Sequence, residues 1–237
     1  MQYSELHCIT NFTFLRGASH PHELVTMASN LGYRALAITD ECSLAGVVKA
    51  HVATFNRNIK LIIGSEFKID SHKVIVLVTN RNSYSKLSSL ITLARRRSKK
   101  GSYQIKWSDL KFNNDGLLII WLPCGDFKKD QLIISQLHDW FERRLWIGFH
   151  NLLNGTETSH LSYLQKLSLL WKVNVVACGD VHMHKKDRQP LQDVLTAIKQ
   201  KCSIMELGKS RYPNSERYLR KIEYLKNIYP EELMRET

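Results

Sequence analysis

The stretch that most constrains this chain is residues 173–184, VNVVACGDVHMH. A short β-branched run suited to a buried strand stops at Gly179 and delivers Asp180 and His182 at alternate positions, so both side chains leave the strand end on one face. An oxygen and a nitrogen ligand then converge, as a divalent metal requires, at the strand end where α/β folds build their sites. Taken alone, Asp-X-His is a weak signal and is better read as a capping aspartate and a surface histidine. The earlier strands therefore decide how it is read.

Residues 5–10 read as a strand, residues 11–19 as a loop, and Ser19 or His20 as the cap of a helix with Pro21 in its first turn and Gly32 at its end. Strands over 34–38 and 59–63 follow, separated by a helix that Ser43 would cap. His7 lies in the first of these strands, and Asp40 with Glu41, and Glu66, fall just past the ends of the next two. Residues 73–79 (KVIVLVT) and 117–122 (LLIIWL) are further strands, and 145–149 another, with helices over 84–94, 131–141 and 161–171 between or after them. Closing helices are expected over 190–199 and 216–228. Strands alternating with helices imply a mostly parallel sheet, and about seven of them suit a closed or nearly closed barrel with its site at the strands' C-terminal ends.

The length of 237 residues and 43% hydrophobic content allow one large domain with a real core. No apolar run reaches membrane-spanning length and the first residues lack a signal-peptide layout, so a soluble, cytoplasmic protein is expected. Five widely spaced cysteines without a C-x-x-C pair indicate neither a disulfide framework nor a zinc knuckle. The net charge of +12 fits a polyanionic neighbour. Arg95, Arg96, Arg97, Lys99 and Lys100 form a like-charged block, either a solvated helix end or a phosphate-contacting patch.

Glu5-Leu6-His7-Cys8, residues 11–21 (NFTFLRGASHP), residues 39–47 (TDECSLAGV) and residues 179–184 (GDVHMH) together resemble the polymerase-and-histidinol-phosphatase (PHP) domain that begins bacterial C-family DNA polymerases. They are most similar to its error-prone, damage-inducible branch. The resemblance covers essentially the whole chain and implies a distorted (β/α)7 barrel of α/β class, whose intact members hold a metal cluster. It also implies a division into a barrel over 1–205 and a helical segment over 206–237 that leads toward a polymerase palm. No palm is read in these residues, so polymerisation by this chain alone is not expected.

Carried over by position, His7, Glu66, Asp180 and His182 match family ligands, and Cys124 falls where the polymerase branch often has a cysteine ligand. Other positions depart. Ile9 stands in place of the second histidine of a His-X-His pair, Arg16 in place of an aspartate, Glu41 in place of the histidine of Thr-Asp-His, and Lys73 near another ligand position. Isoleucine has no lone pair to donate and a guanidinium repels a dication, so a complete multi-metal cluster is not expected. Arg16, helped by Lys73, is expected to replace metal charge by pairing with Glu41, Glu66 or Asp180.

Three functions follow. The first is a structural, partner-binding and DNA-binding domain of an error-prone polymerase III alpha-like subunit, engaged in DNA replication, repair and translesion synthesis. Its partners would be DNA, the rest of the polymerase and other replication proteins, with no membrane and no cofactor. The second is a metal-dependent phosphoesterase or 3′–5′ exonuclease that uses one residual Zn or Mn ion. The third is a stand-alone nucleic-acid-binding module resting on the basic block and the late cations Lys185, Lys186, Arg188, Lys209, Arg211, Arg217, Arg220 and Lys221. His72 and His150 lie near strand ends, where a one-residue slip could supply a missing ligand.

Overall fold

A computed structural model describes residues 2–112 and 114–237. Seven strands lie in sequential order, β1 (Ser4–Cys8), β2 (Ala35–Ile38), β3 (Lys60–Ile69), β4 (His72–Val78), β5 (Leu117–Leu122), β6 (Leu145–His150) and β7 (Val175–Cys178). The sheet curls toward closure: just past the strands, Cys8 bridges Val181, with Ile9 N donating to Val181 O and Val181 N to His7 O, both at 2.9 Å. Helices pack outside, among them α1 (Pro21–Asn30), α2 (Val47–Thr54), α3 (Arg81–Arg96), α4 (Trp107–Phe112), α5 (Phe127–Phe141), α6 (Glu157–Trp171) and α7 (Gln189–Gln200).

Strand alternation divides the apolar residues between two cores. Leu6, Ala37, Ile75, Leu77, Ile120, Leu122, Val176 and Cys178 fill the barrel interior. Their neighbours in sequence, such as Leu36, Val74, Val76, Trp121, Ile147 and Ala177, pack outward in the larger cluster shared with the helices. A polar residue on the inward register is therefore aimed into the barrel mouth.

The sheet is mostly parallel, as expected, but it reverses in the middle. The third strand does not stop at residue 63: its first half pairs with β2 in parallel, and residues 64–69 continue antiparallel to β4, which is itself antiparallel to β5. The two-residue turn after Ile69, with Asp70 at φ 53°, returns the chain directly and leaves no room for a crossover helix. Two consequences reach the site. Glu66 is a mid-strand residue rather than a strand-end one, and Lys73, at the beginning of β4, comes to the same end of the barrel as the C-termini of the parallel strands.

The expected closing helix over 216–228 is also corrected. Main chain at 217–218 runs extended beside 182–183, with His182 N donating to Arg217 O at 2.9 Å and Met183 bridged to Tyr218. Helix begins only at α8 (Ile222–Ile228), and Pro230 separates it from α9 (Glu231–Arg235). The buried Tyr229 hydroxyl donates to Cys178 O at 2.7 Å, and Tyr33 OH to Arg220 O at 2.7 Å, so this segment is bound to the barrel wall. Other helices begin or end a few residues from their expected bounds; the helix after Ser43 starts at Val47, after a turn at residues 45–46.

The loop after β1 carries Arg16 and is anchored by Asp40. That buried carboxylate accepts from Thr10 N (2.7 Å), Thr10 Oγ1 (2.9 Å) and Thr13 Oγ1 (2.7 Å). Gly17 lets the loop close on itself, since a Cβ there would lie 2.0 Å from Thr10 O. Backbone cannot yield as a flexible side-chain end can, so Gly17→Ala is expected to cost about 3 kcal/mol or more and to displace Arg16. Urea unfolding checks this; an unchanged midpoint would mean the loop has slack that its packing does not suggest.

An arginine-filled candidate metal centre

Four inward or strand-end positions meet at the barrel mouth. In β1 the register shifts between Glu5 and Cys8, and the Glu5 carboxylate accepts from His7 N (2.9 Å) and from Gly179 N (2.8 Å). This irregularity turns the His7 imidazole into the mouth. Its Nε2 lies 2.7 Å from Glu66 Oε2, and its Nδ1 is 3.0 Å from His150 Nε2 and 3.7 Å from Asp180 Oδ1. Asp180 reaches inward from a left-handed backbone, φ 46°, and its Oδ1 is 3.1 Å from His182 Nε2. His7, Glu66, Asp180 and His182 are thus together and buried.

Arg16 occupies the middle of this group. Its Nη1 is 2.5 Å from Glu66 Oε1 and 2.9 Å from Glu41 Oε2, and its Nη2 is 2.9 Å from Glu66 Oε2 and 3.8 Å from Asp180 Oδ1. The pairing with Glu66 is the two-toothed fork that guanidinium and carboxylate planes favour. Lys73 Nζ approaches Glu66 Oε2 at 3.8 Å, and Arg217 pairs with Asp180. Tyr103 OH donates to Glu41 Oε1 at 2.9 Å, while the Tyr212 ring stands edge-on to His182 and under the Arg217 guanidinium. Three cations therefore face three carboxylates among histidines. Ile9 is fully buried and contributes only its backbone.

The electrostatics follow from burial opposed by these neighbours. Burial would raise the Glu66 carboxyl, but Arg16 and Lys73 more than offset it and hold it well below its ordinary range. Burial lowers Lys73 against the pull of Glu66, and burial with the Arg16 charge brings Arg217 down to about 10. Burial, reinforced by nearby cations, depresses His150 and His182 far below the ordinary histidine value. His7 is lowered too, by burial that its contact with Glu66 only partly opposes.

These residues do not fit a divalent metal as they stand. His7, Glu66 and Asp180 do offer one ligand atom each, all within 4.8 Å of one another. The Glu66 and Asp180 oxygens already face the Arg16 guanidinium, and the His7 nitrogens are within hydrogen-bond distance of Glu66 and His150. A dication about 4 Å from a guanidinium would meet a repulsion on the order of 8 kcal/mol at an effective dielectric constant of 20. Beside the group lies a cleft of about 370 Å³ lined in part by Lys73, Cys124, His150, His160, Asp180 and Arg217.

Cys124 lines that cleft, and the ligand group it joins contains His72 and Asp130. His72 points outward, opposite to Lys73, so the slip that would carry it into the arginine-filled mouth does not occur. His150 does arrive there, through the inward register of β6. Arg217 and Tyr212 were not legible as site residues: only the main-chain pairing of 217 with 182–183 brings them in, and Arg217 had counted simply as a late cation.

Several other cations from the sequence are likewise engaged within the chain. Arg95 donates to Cys42 O at 3.1 Å and Glu41 O at 3.2 Å, and Arg97 pairs with Asp109. Arg96, Lys99 and Lys100 are exposed at the end of α3 and beyond it. Arg188 pairs with Glu23, Arg211 with Asp193 and Lys186 with Glu216, while Arg220 is buried against Asn151 O.

The family model of the PHP domain matches residues 5–144, more than half of the sequence. The chain belongs to the PHP domain family. Error-prone DNA polymerases are similar over its whole length: that of Saccharophagus degradans is 45% identical over 238 residues, covering 100% of this chain and 23% of that protein. The polymerase of Methylococcus capsulatus is 47% identical over 237 residues, covering 99% of this chain and 22% of the other. The PHP chain thus spans less than a quarter of the length of these relatives. Among solved structures, a protein assigned as a metal-dependent phosphoesterase from Bifidobacterium adolescentis superposes with a TM-score of 0.54 at 16% identity, over 76% of this chain and 88% of its own. An amidohydrolase from Chromobacterium violaceum gives 0.53 at 15% identity, over 76% and 87%. At such identities the likeness is one of fold, and it agrees with the seven-stranded PHP barrel.

Proposed function

We propose that this chain acts as the PHP domain of an error-prone C-family DNA polymerase, with a structural and partner-binding role and no metal-dependent catalysis of its own. The observation that carries the reading is the fork of Arg16 on Glu66 inside the former ligand shell, supported by similarity to error-prone polymerases along the whole chain. Arg16, Lys73 and Arg217 stand where an intact member would keep positive charge as metal ions. They keep the carboxylates paired and the barrel mouth folded without chemistry. His7, Glu66, Asp180 and His182 are then vestigial ligands.

The partners on this reading are the remainder of the polymerase and DNA, in replication and translesion repair in the cytoplasm. Residues 1–205 form the barrel unit, and residues 206–237 form the segment that leads toward the catalytic palm. Arg96, Lys99 and Lys100 are the members of the basic block best placed to meet phosphate. No helix among the described residues is long and apolar enough to cross a membrane.

The competing reading is a phosphoesterase or 3′–5′ exonuclease, favoured by the convergence of His7, Glu66 and Asp180 beside an open cleft. A 3′-ended single-stranded oligonucleotide with Mn²⁺ or Zn²⁺ separates the two. No nucleotide release above background is expected. Release that disappears in the His7→Ala variant would establish the exonuclease and overturn the structural reading.

A further inference from the structure

A second group of ligand-type side chains lies outside the arginine-filled mouth, between the barrel wall and α5. His72 begins β4, Cys124 follows the end of β5, and Asp130 sits in the first turn of α5. One ligand atom from each lies within 4.8 Å of the others. We propose that His72 Nδ1, Cys124 Sγ and Asp130 Oδ1 bind a single zinc ion that ties β4, the loop after β5 and α5 together.

The strongest observation concerns His72. Its side chain is 3% exposed, and its Nδ1 is buried without a hydrogen-bond partner. Such an atom costs free energy unless something satisfies it. It faces Asp130 Oδ1 at 3.4 Å without forming a hydrogen bond to it. That separation matches the edge of about 3.4 Å between two ligands of a tetrahedral ion with bonds of 2.0–2.2 Å.

The surroundings fix the donors as outer partners of a metal site do. The imidazole is stacked on Trp121, with centroids 5.8 Å apart, and stands edge-on to Trp107 at 5.6 Å. Asp130 is fully buried: its Oδ1 accepts from Cys124 N at 3.0 Å, and its Oδ2 from Gly125 N at 2.9 Å and Tyr163 OH at 2.5 Å. The first of those bonds holds the cysteine backbone beside the carboxylate that would share its ion.

A nitrogen, a thiolate and a carboxylate suit zinc better than manganese or magnesium, which take oxygen donors. Binding forms the sulfur–zinc bond and releases the Cys124 thiol proton to water. One thiolate and one carboxylate then neutralise the ion. Cys124 also borders the 370 Å³ cleft, the side from which a solvent molecule would complete the coordination. None of the three donors belongs to the group that Arg16 fills, and the proposal stands whether or not that group has lost its metal.

Cobalt(II) titration of the purified chain tests it. One equivalent should develop a thiolate-to-cobalt charge-transfer band with the intense visible bands of a tetrahedral ion, and zinc should displace it. Cys124→Ser should abolish the charge-transfer band and weaken zinc binding about tenfold or more, whereas Cys202→Ser, at the other partly exposed thiol, should change neither. His72→Gln should weaken binding likewise, with circular dichroism confirming the fold; if it does not fold, Cys124→Ser alone carries the test. Absence of a thiolate band in the parent chain, or a band that survives Cys124→Ser, would overturn the site.

Discussion

Replacing Arg16 by alanine should lower the unfolding free energy by about 3–5 kcal/mol, the range observed when one partner of a buried ion pair is removed. Glu66, 1% exposed in the parent chain, would keep only the ammonium of Lys73 at 3.8 Å and His7 at 2.7 Å as partners. In a chain of this size the melting temperature should fall by on the order of 10 °C. Two further measurements separate charge replacement from simple packing. Arg16→Met together with Glu66→Gln should recover much of the loss, because filling a site with uncharged volume costs less than leaving one buried charge unpaired. Mn²⁺ should stabilise Arg16→Ala more than the parent chain, since the single substitution removes the guanidinium from the Glu66 oxygens and from beside Asp180. If Arg16→Ala unfolded at the parental urea concentration, the guanidinium would not be replacing metal charge.

The second large effect is on pH. His7, His150 and His182 all have folded values below the ordinary histidine value, for which burial is the leading cause. The unfolded chain therefore takes up protons near pH 6.5 that the folded chain refuses, and stability is lost as pH falls below that point. Each histidine that stays neutral in the fold contributes up to about 1.4 kcal/mol per pH unit to the slope. Glu66 adds to the same trend at lower pH: its folded value is depressed, so its contribution is full above the unfolded value near 4.3 and fades as pH falls further. Urea midpoints between pH 7.5 and 5 should decline steadily, and His150→Asn should flatten the slope. A midpoint that rises on acidification would show that these imidazoles bind protons in the fold, against the field of Arg16, Lys73 and Arg217.

The barrel was legible because its causes are local. Runs such as residues 117–122 and 173–178 are short and apolar, and they end at breakers; about seven of them, most separated by helical stretches, leave few ways to bury both faces. His7, Glu66, Asp180 and His182 were legible for the same reason, as polar residues breaking an apolar pattern. The antiparallel middle of the sheet was not. Residues 60–69 and 72–78 carry the same apolar texture whichever way they pair, and the short turn that reverses them looks like any other loop until its register is known.

The chain's own residues determined what positions 9 and 16 can offer: isoleucine has no lone pair to give, and arginine carries a charge that no neighbour removes. Those facts belong to the side chains wherever the backbone goes. Only the tertiary structure decided which partners these charges meet. Arg16 meets Glu66 across 50 positions of sequence, and Arg217 meets Asp180 because an extended segment pairs with residues 182–183 instead of coiling into a helix. The separation of His72 from Lys73 was likewise decided in three dimensions, since adjacent strand residues face opposite sides of the sheet and only the assembled barrel has an inside.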